Sequence, residues 1–247
     1  MRILSLGAGV QSSTLALMIA KGEVPMVDCA IFADTQSESR ATYEWLNWIE
    51  KQLPFPLYRV THGNLEADIL ADAREEIRYM LPTYTNGGGM GKRQCTAHYK
   101  IKPLRRKVRE LGATAKNPAT ILIGISLDEA WRMKPSDRKY QVHTWPLVDM
   151  LMTRYHCIEW MRARFGKTPP KSACIFCPYG DNKRLGNLPW NEYNRVVRLD
   201  AFIRHRAGTP GTVQYLRREL MPVPEIDLSA STQIDMFINE CEGICGV

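Results

Sequence analysis

Three cysteines, Cys95 and the pair Cys174-x-x-Cys177, are the residues of this chain whose type and spacing suit soft-metal or sulfur chemistry. Two intervening residues let a short turn aim both thiolates at one metal. A redox-active dithiol or a structural zinc knuckle uses the same spacing, so the pair alone leaves iron–sulfur, zinc and metal-free readings open. A second chemical feature is Arg2-Ile-Leu-Ser-Leu-Gly-Ala-Gly-Val-Gln-Ser-Ser-Thr14, an apolar strand running into a turn with Gly7 and Gly9, followed by hydroxyls at Ser12 and Ser13. Glycines let backbone approach a phosphate closely, and the N-terminus of a following helix turns N–H groups toward the anion. A dinucleotide fingerprint would need a third glycine where Ser12 stands, and a Walker loop would need Gly-Lys-Ser or Gly-Lys-Thr; neither is met. Phe32-Ala-Asp-Thr-Gln-Ser37 closes a second apolar run and brings Asp34 to the same edge as the loop. A carboxylate there accepts from ribose hydroxyls or an adenine amino group, or simply caps the next turn. Thiolates beside a nucleotide site point to redox or sulfur chemistry on an adenylated substrate.

The elements that must position these residues follow from periodicity. Apolar runs at Arg2-Leu6, Val27-Ala33, Leu57-Thr61, Thr120-Ile125 and Tyr140-Trp145 alternate with helical-period segments. This predicts an α/β fold, a doubly wound parallel sheet of about five strands with helices on both faces. The first helix is expected over Ser13-Lys21, capped by Ser12 or Ser13 and ended by Gly22. A second, Arg40-Gln52, should bury Tyr43, Leu46 and Trp48 or Ile49. Residues 82–99 open with Pro82-Thr-Tyr-Thr-Asn-Gly-Gly-Gly-Met-Gly91, too glycine-rich for a regular element and long enough to read as a functional loop. Further helices are expected at Thr153-Phe165, Trp190-Arg206 and Thr212-Glu219, interrupted by the cysteine-bearing loop Gly166-Asp181. The expected organisation is a nucleotide-binding domain over 1–150, a helical and coil extension carrying the cysteine cluster over 151–221, and a tail over 222–247 with a short amphipathic stretch near Gln233-Asn239. Cys29, in an apolar strand, and Cys157, in an amphipathic helix, read as packing residues.

The formal charge is +7, from 33 Lys and Arg against 26 Asp and Glu, which favours an anionic partner such as a nucleotide or nucleic acid. Basic residues are densest at Lys100-Arg109, Arg132-Lys139 and Arg195-Arg206, where a solvated helix face explains each run as well as a binding groove. Seven cysteines, an odd number without regular spacing, fit a reducing compartment, and with neither a membrane span nor a secretory pattern in view the expected location is cytoplasmic. None of the five histidines stands in a recognisable nucleophile context, which gives no support to a serine or papain-like hydrolase.

Taken together, over roughly residues 1–180, these segments resemble the PP-loop adenine nucleotide alpha hydrolase superfamily, and within it the phosphoadenosine phosphosulfate (sulfonucleotide) reductase-like family. Gly7-Ala-Gly-Val-Gln-Ser-Ser13 is similar to the family's Ser-Gly-Gly-x-Asp-Ser loop, and Phe32-Ala-Asp-Thr35 to its second-strand Asp-Thr. Lys92-Arg-Gln-Cys-Thr-x-x-x-Lys-Ile-Lys-Pro-Leu104 looks like its Arg-x-Cys, Lys and Pro-Leu segment. Gly124-Ile-Ser-Leu-Asp-Glu-x-x-Arg132, with Trp145-Pro-Leu after it, looks like the Gly-x-Arg-x-x-Glu-Ser region, and Ser172-Ala-Cys-Ile-Phe-Cys-Pro-Tyr179 like the second cluster motif. Gln11 stands where the loop carries an acid, Gly7 where it begins with Ser, and Ser126 where the reductases carry an arginine.

The resemblance implies ATP or an adenylyl nucleotide at Gly7, Gly9, Ser12, Ser13 and Asp34, with Lys92, Arg93, Lys100 and Arg132 neutralising phosphates, Arg132 as a catalytic candidate, and a magnesium ion accompanying ATP. It also implies a 4Fe-4S cluster on Cys95, Cys174 and Cys177. Gln94-Cys95-Thr96 lacks the adjacent cysteines of the iron–sulfur reductases, so one ligand is missing, as in the sulfurtransferase branch, where an open iron carries the sulfur. The expected reaction is then ATP-dependent sulfur transfer to an adenylated substrate, for which the basic balance makes a nucleic acid suitable. The alternative is reduction of phosphoadenylyl sulfate or adenylyl sulfate. There Cys241, in Glu240-Cys-Glu-Gly-Ile244, is the nucleophile and a thioredoxin-like donor releases sulfite. At an unperturbed pKa near 8.5 only about 3% of such a thiol is ionised at neutral pH, so it would need a positive neighbourhood, for which Arg217 and Arg218 are candidates. A homodimer is compatible with either. A reading from another class is a zinc-containing nucleic-acid-binding module without catalysis.

Overall fold

In the computed structural model, which describes residues 1–71, 80–205 and 211–229, the chain runs β1 (Arg2–Ser5), α1 (Val10–Ala20), β2 (Cys29–Asp34), α2 (Arg40–Glu50), β3 (Leu57–Thr61), α3 (Leu65–Ala71), β4 (Tyr84–Thr85) and α4 (Lys102–Glu110). It continues through β5 (Ala119–Ile123), β6 (Gln141–Thr144), α5 (Pro146–Asp149), α6 (Arg154–Phe165), α7 (Asn182–Gly186), α8 (Trp190–His205) and β7 (Gln214–Tyr215). The five apolar runs read from the sequence pair as one parallel sheet in the order β3-β2-β1-β5-β6. Successive strand residues face opposite ways. Ile3, Ile31, Ile121 and Ile123 therefore meet Leu104 and Val108 of α4 on one face, while Leu4, Ala30, Phe32 and Leu122 meet α1, α2 and α6 on the other. Burying each such side chain stabilises the fold by about 1.5–3 kcal/mol. Cys29 and Cys157 belong to these two cores and are packing residues, as expected. No helix among the described residues is long and apolar enough to cross a membrane.

Strand order places a topological switch between β1 and β5, because the chain winds from β1 toward β3 on one side and from β5 to β6 on the other. Ligands of such sheets sit outside the carboxyl ends of the strands at that point. The loops after β1, β2 and β5 are the ones it recruits.

Four local expectations are corrected. α1 starts at Val10, with Gly9 and not Ser12 or Ser13 as its N-cap. Ala8 takes a left-handed φ of 59°, which turns the chain into the helix early, and the Ser12 hydroxyl accepts from Gly7 N–H at 3.1 Å instead of capping. The helix does end at Gly22, left-handed at φ 78°. In α2 the buried stripe is Thr42, Trp45, Leu46 and Ile49; Tyr43 is half-buried and donates its hydroxyl to Asp34. The glycine-rich stretch is an ordered hairpin, with Gly88 and Gly89 supplying left-handed turns and β4 pairing antiparallel with β7. Thr212-Glu219 consequently holds a short strand where a helix was expected, pinned by Thr83 Oγ1 donating to Gln214 Oε1 and by Asn86 Oδ1 accepting from Val213 N. Thr96–Ile101 then winds as a π-helical turn that runs straight into α4, Lys102 N–H reaching back to Ala97 O. A third core joins Leu65 of α3, Tyr99, Phe176, Leu185, Val196 and Leu199.

Candidate active site

The loop after β1 is held from three sides. Gly124, leaving β5, passes so near that a Cβ there would lie 2.6 Å from Ser12 backbone atoms. Gln11 donates to Ser126 Oγ at 3.3 Å and accepts from Arg154 Nη1 at 2.9 Å, tying the loop to the ends of β5 and the start of α6. Ser13 accepts from the Trp45 indole at 3.0 Å. No side chain caps the start of α1, and its first-turn N–H groups precede the first intrahelical bond, Ser13 N to Gly9 O. Uncapped N–H groups at a helix start are anion-binding elements. Beside them Asp34 accepts from Tyr43 Oη at 2.8 Å and Gln36 N at 2.7 Å, so it caps its turn and remains partly exposed at the sheet edge.

The thiols gather one strand away. Cys95, Cys174 and Cys177 line a single recess with Thr35, Arg93, Lys100 and Tyr179. The cysteine loop docks along the residues that follow β2: Glu38 and Cys174 pair as an antiparallel bridge, and Ile175 N–H reaches Ser37 O at 2.9 Å. Thr35 Oγ1 lies 3.2 Å from Cys174 Sγ, and the Ser172 hydroxyl donates to Gly7 O at 2.6 Å. The segment that presents Cys174 is thus bonded to the loop after β1 itself. Burial pushes the Cys174 thiol well above its usual range, with the Glu38 carboxylate adding to the effect and Lys100 opposing it. Lys100 and Glu38 are buried together at 3.1 Å, and the second Glu38 oxygen has no hydrogen-bond partner among the described residues. Two guanidinium groups hold the turn from behind. Arg184 donates to Ala173 O and Cys174 O at 2.6 and 3.2 Å, and Arg217 to Gly180 O and Cys177 O at 2.6 and 3.4 Å. Gly180 sits between them, where a Cβ would lie 3.1 Å from Arg184 Nη1. Arg217 is 3% exposed, and burial lowers its pKa.

Three soft thiol donors with cations close by suit an iron–sulfur cluster chemically. Among the described residues no group of three or more His, Cys, Asp or Glu side chains is placed to hold a metal ion as folded. The opening is small as folded, ≈ 20 Å³, about one water's room. A larger guest must displace rim side chains, of which Arg93 and Tyr179, stacked at 5.6 Å, are half-exposed.

The expected residues divide accordingly. Cys95, Cys174, Cys177, Arg93 and Lys100 share the recess, Lys100 as one half of a buried ion pair. Gly7 and Gly9 lie in the loop after β1, Ser12 and Ser13 are buried in the first turn of α1, and Asp34 ends β2. Arg132 is buried in the helical turn after β5 and paired with Glu129, and Lys92 is exposed outside the recess lining. Cys241 and Cys245, with Gln233-Asn239, fall outside the described residues. The sequence reading gave no role to Thr35, Glu38, Ser172 or Arg184, whose partners are remote in the chain; Thr35 and Ser172 stood inside quoted motifs, which was the signal that could have found them.

No family model and no curated protein matches the chain. Among solved structures it is similar to the crystal structure of phosphoadenylyl-sulfate (PAPS) reductase from Candida auris in a phosphate complex, at 14% identity and a TM-score of 0.46, over 66% of this chain and 71% of that one. That likeness concerns the fold. It transfers neither activity nor residue roles.

Proposed function

We propose that this chain is an adenine-nucleotide-dependent enzyme of sulfur chemistry, holding ATP or an adenylyl nucleotide along Gly7–Ser13 and Asp34 and handling sulfur at Cys95, Cys174 and Cys177. The observation that carries this reading is the Ser172–Gly7 hydrogen bond, which fastens the cysteine turn to the nucleotide loop two residues from Cys174. A 4Fe-4S cluster on the three thiols would supply a site to accept and release sulfur or electrons. The chain's own contribution is positional and electrostatic. Uncapped N–H groups of α1 receive phosphate oxygens, Glu38 keeps Lys100 beside the thiols, where its charge offsets theirs, and Arg184 and Arg217 fix the turn. In the first form of the reaction an oxygen of the substrate attacks the α-phosphorus of ATP, pyrophosphate leaves, and sulfur then displaces adenylate from the activated position.

Reduction of an adenylyl sulfate is the second form, and it is the activity named for the Candida auris protein. There the nucleotide arrives already bearing a sulfonate, the Cys241 thiolate attacks its sulfur, and the adenine nucleotide leaves through its phosphate oxygen. A dithiol reductant then attacks the S-sulfonated cysteine, releasing sulfite and the free thiol as the dithiol becomes a disulfide. Both forms use the same loop. Protein purified without oxygen should contain iron and acid-labile sulfide, lost in Cys174→Ala. It should also show either pyrophosphate exchange with ATP or sulfite release from an adenylyl sulfate. Neither turnover in iron-loaded protein overturns the proposal, and one without the other selects the form.

A further inference from the structure

Two of the basic runs, separated in sequence, come together in space. One side of α4 and the segment Lys134–Tyr140 border two adjoining grooves of ≈ 650 and ≈ 490 Å³ that share Lys102, Arg105 and Arg138. Six cations line them against two carboxylates, Glu110 and Asp137. Asp137 is engaged by Arg105 at 2.5 Å, and Glu110 by Arg106 and Lys107. Lys102, Arg109 and Lys134 have no carboxylate in ion-pair range among the described residues; Lys102 touches the His98 ring at 3.1 Å and Arg109 lies over Tyr140 at 5.9 Å. Lys102, Arg106 and Arg109 fall at i, i+4 and i+7, an exposed stripe about 10 Å long on one side of the helix. The opposite side, Leu104 and Val108, is buried in the sheet core, so the orientation of this stripe is fixed by packing.

We infer that this face binds the phosphate backbone of a nucleic acid. A row of outward cations with few counter-carboxylates and an interleaved tyrosine matches a polyanion with regularly spaced charges and planar bases, and ordered grooves suit a chain more than a single phosphate. The placement is also informative. The same helical rod that gives Cys95, Thr96 and Lys100 to the thiol recess gives Ala97, Ile101 and Lys102 to the groove, so the two lie about one helix diameter, ~10–12 Å, apart. The inference does not depend on the chemistry at the recess.

The test is fluorescence anisotropy of a labelled oligonucleotide, single-stranded and as a duplex, against the intact protein over a range of salt. Lys102→Gln/Arg106→Gln/Arg109→Gln should weaken binding of the preferred form at least tenfold and lower the log–log salt slope by roughly 2 to 3. Lys134→Gln/Arg138→Gln, from the other run, should act in the same direction. Arg40→Gln, outside the face, should leave both quantities unchanged. Far-ultraviolet circular dichroism confirms that the exposed variants are folded. Absence of oligonucleotide binding, an unchanged slope in the triple variant, or binding to phosphatidylglycerol vesicles in place of the oligonucleotide would each overturn the inference. Iron content and nucleotide turnover are measured separately, so a failed reading of the recess and a failed reading of this face are distinguishable.

Discussion

At the scale of single residues, the site is defined as much by what cannot be substituted as by what reacts. Gly124 is required because β5 passes against the first turn of α1 with no space for a side chain, a Cβ falling 2.6 Å from Ser12. Both backbones are rigid there, so Gly124→Ala should destabilise the protein by at least the ~1–3 kcal/mol of an overpacked core, measured by urea unfolding, and should weaken nucleotide binding with it. Arg217 illustrates a different necessity. Its guanidinium satisfies carbonyls of the cysteine turn from a position that is nearly sealed from water. Arg217→Lys keeps the charge but not the fork, and Arg217→Met leaves Gly180 O without its donor, a loss of about 1–3 kcal/mol. If the thiols hold the proposed cluster, both variants should lose iron to a chelator faster than the parent, the methionine variant fastest; identical rates would remove Arg217 from any role in retaining it. The cysteines were legible in sequence because their spacing is itself the signal. Glu38 and Arg184 were not, since each acts on a partner that only the fold brings near, as Glu38 meets Lys100 across the recess and Arg184 reaches back to the carbonyls of Ala173 and Cys174.

Elements were legible where one periodicity ran long enough to be seen. All five strands of the sheet lie where the apolar runs put them; β1, β2 and β5 are apolar on both faces because they are buried on both, while the edge strands β3 and β6 are partly exposed and mix apolar with polar residues. The first helix was misplaced by part of a turn, since nothing in Gly7-Ala-Gly9 announces that Ala8 adopts a left-handed conformation. The pair β4 and β7 escaped notice because two-residue strands carry no period. The contact between elements that matters most is the buried Lys100–Glu38 pair, joining the start of the helical rod to the loop after β2 with side chains 5% and 0% exposed. Glu38→Gln removes the buried carboxylate that Lys100 meets at 3.1 Å and should cost about 3–5 kcal/mol in chemical denaturation. On β6, burial lowers the pKa of His143, with Arg105 adding to the effect and a hydrogen bond to Lys134 O and the Asp137 charge opposing it. The unfolded chain therefore takes up this proton before the folded one does. Stability is fully present above the unfolded value near 6.5 and falls as pH drops through it toward the lower folded value. His143→Gln should flatten that part of a stability–pH profile, provided the amide keeps the bond to Lys134 O.

For the molecule as a whole, three cores hold three surfaces in register: the loop after β1 over one, the thiol recess over the second, and the basic face over the third. The net charge of +7 gave warning of an anionic partner but not of its location, because Lys100-Arg109 and Arg132-Lys139 are joined only by the fold. Whatever lies along the basic face meets the protein through the rod that begins at Cys95. That rod passes through the π-helical turn at Thr96–Ile101 before becoming α4. A π turn contains one residue more than the α turn it replaces, and each residue of an α-helix advances the azimuth by about 100°. The turn takes up its extra residue within one revolution, so thiol and cations keep the phase of an unbroken α-helix. Deleting Ala97 would restore ordinary winding and leave the two surfaces aimed as they are. Such a variant should keep its helicity, its affinity for an oligonucleotide and any turnover that needs both surfaces at once, whereas loss of that affinity would show that the phase had changed.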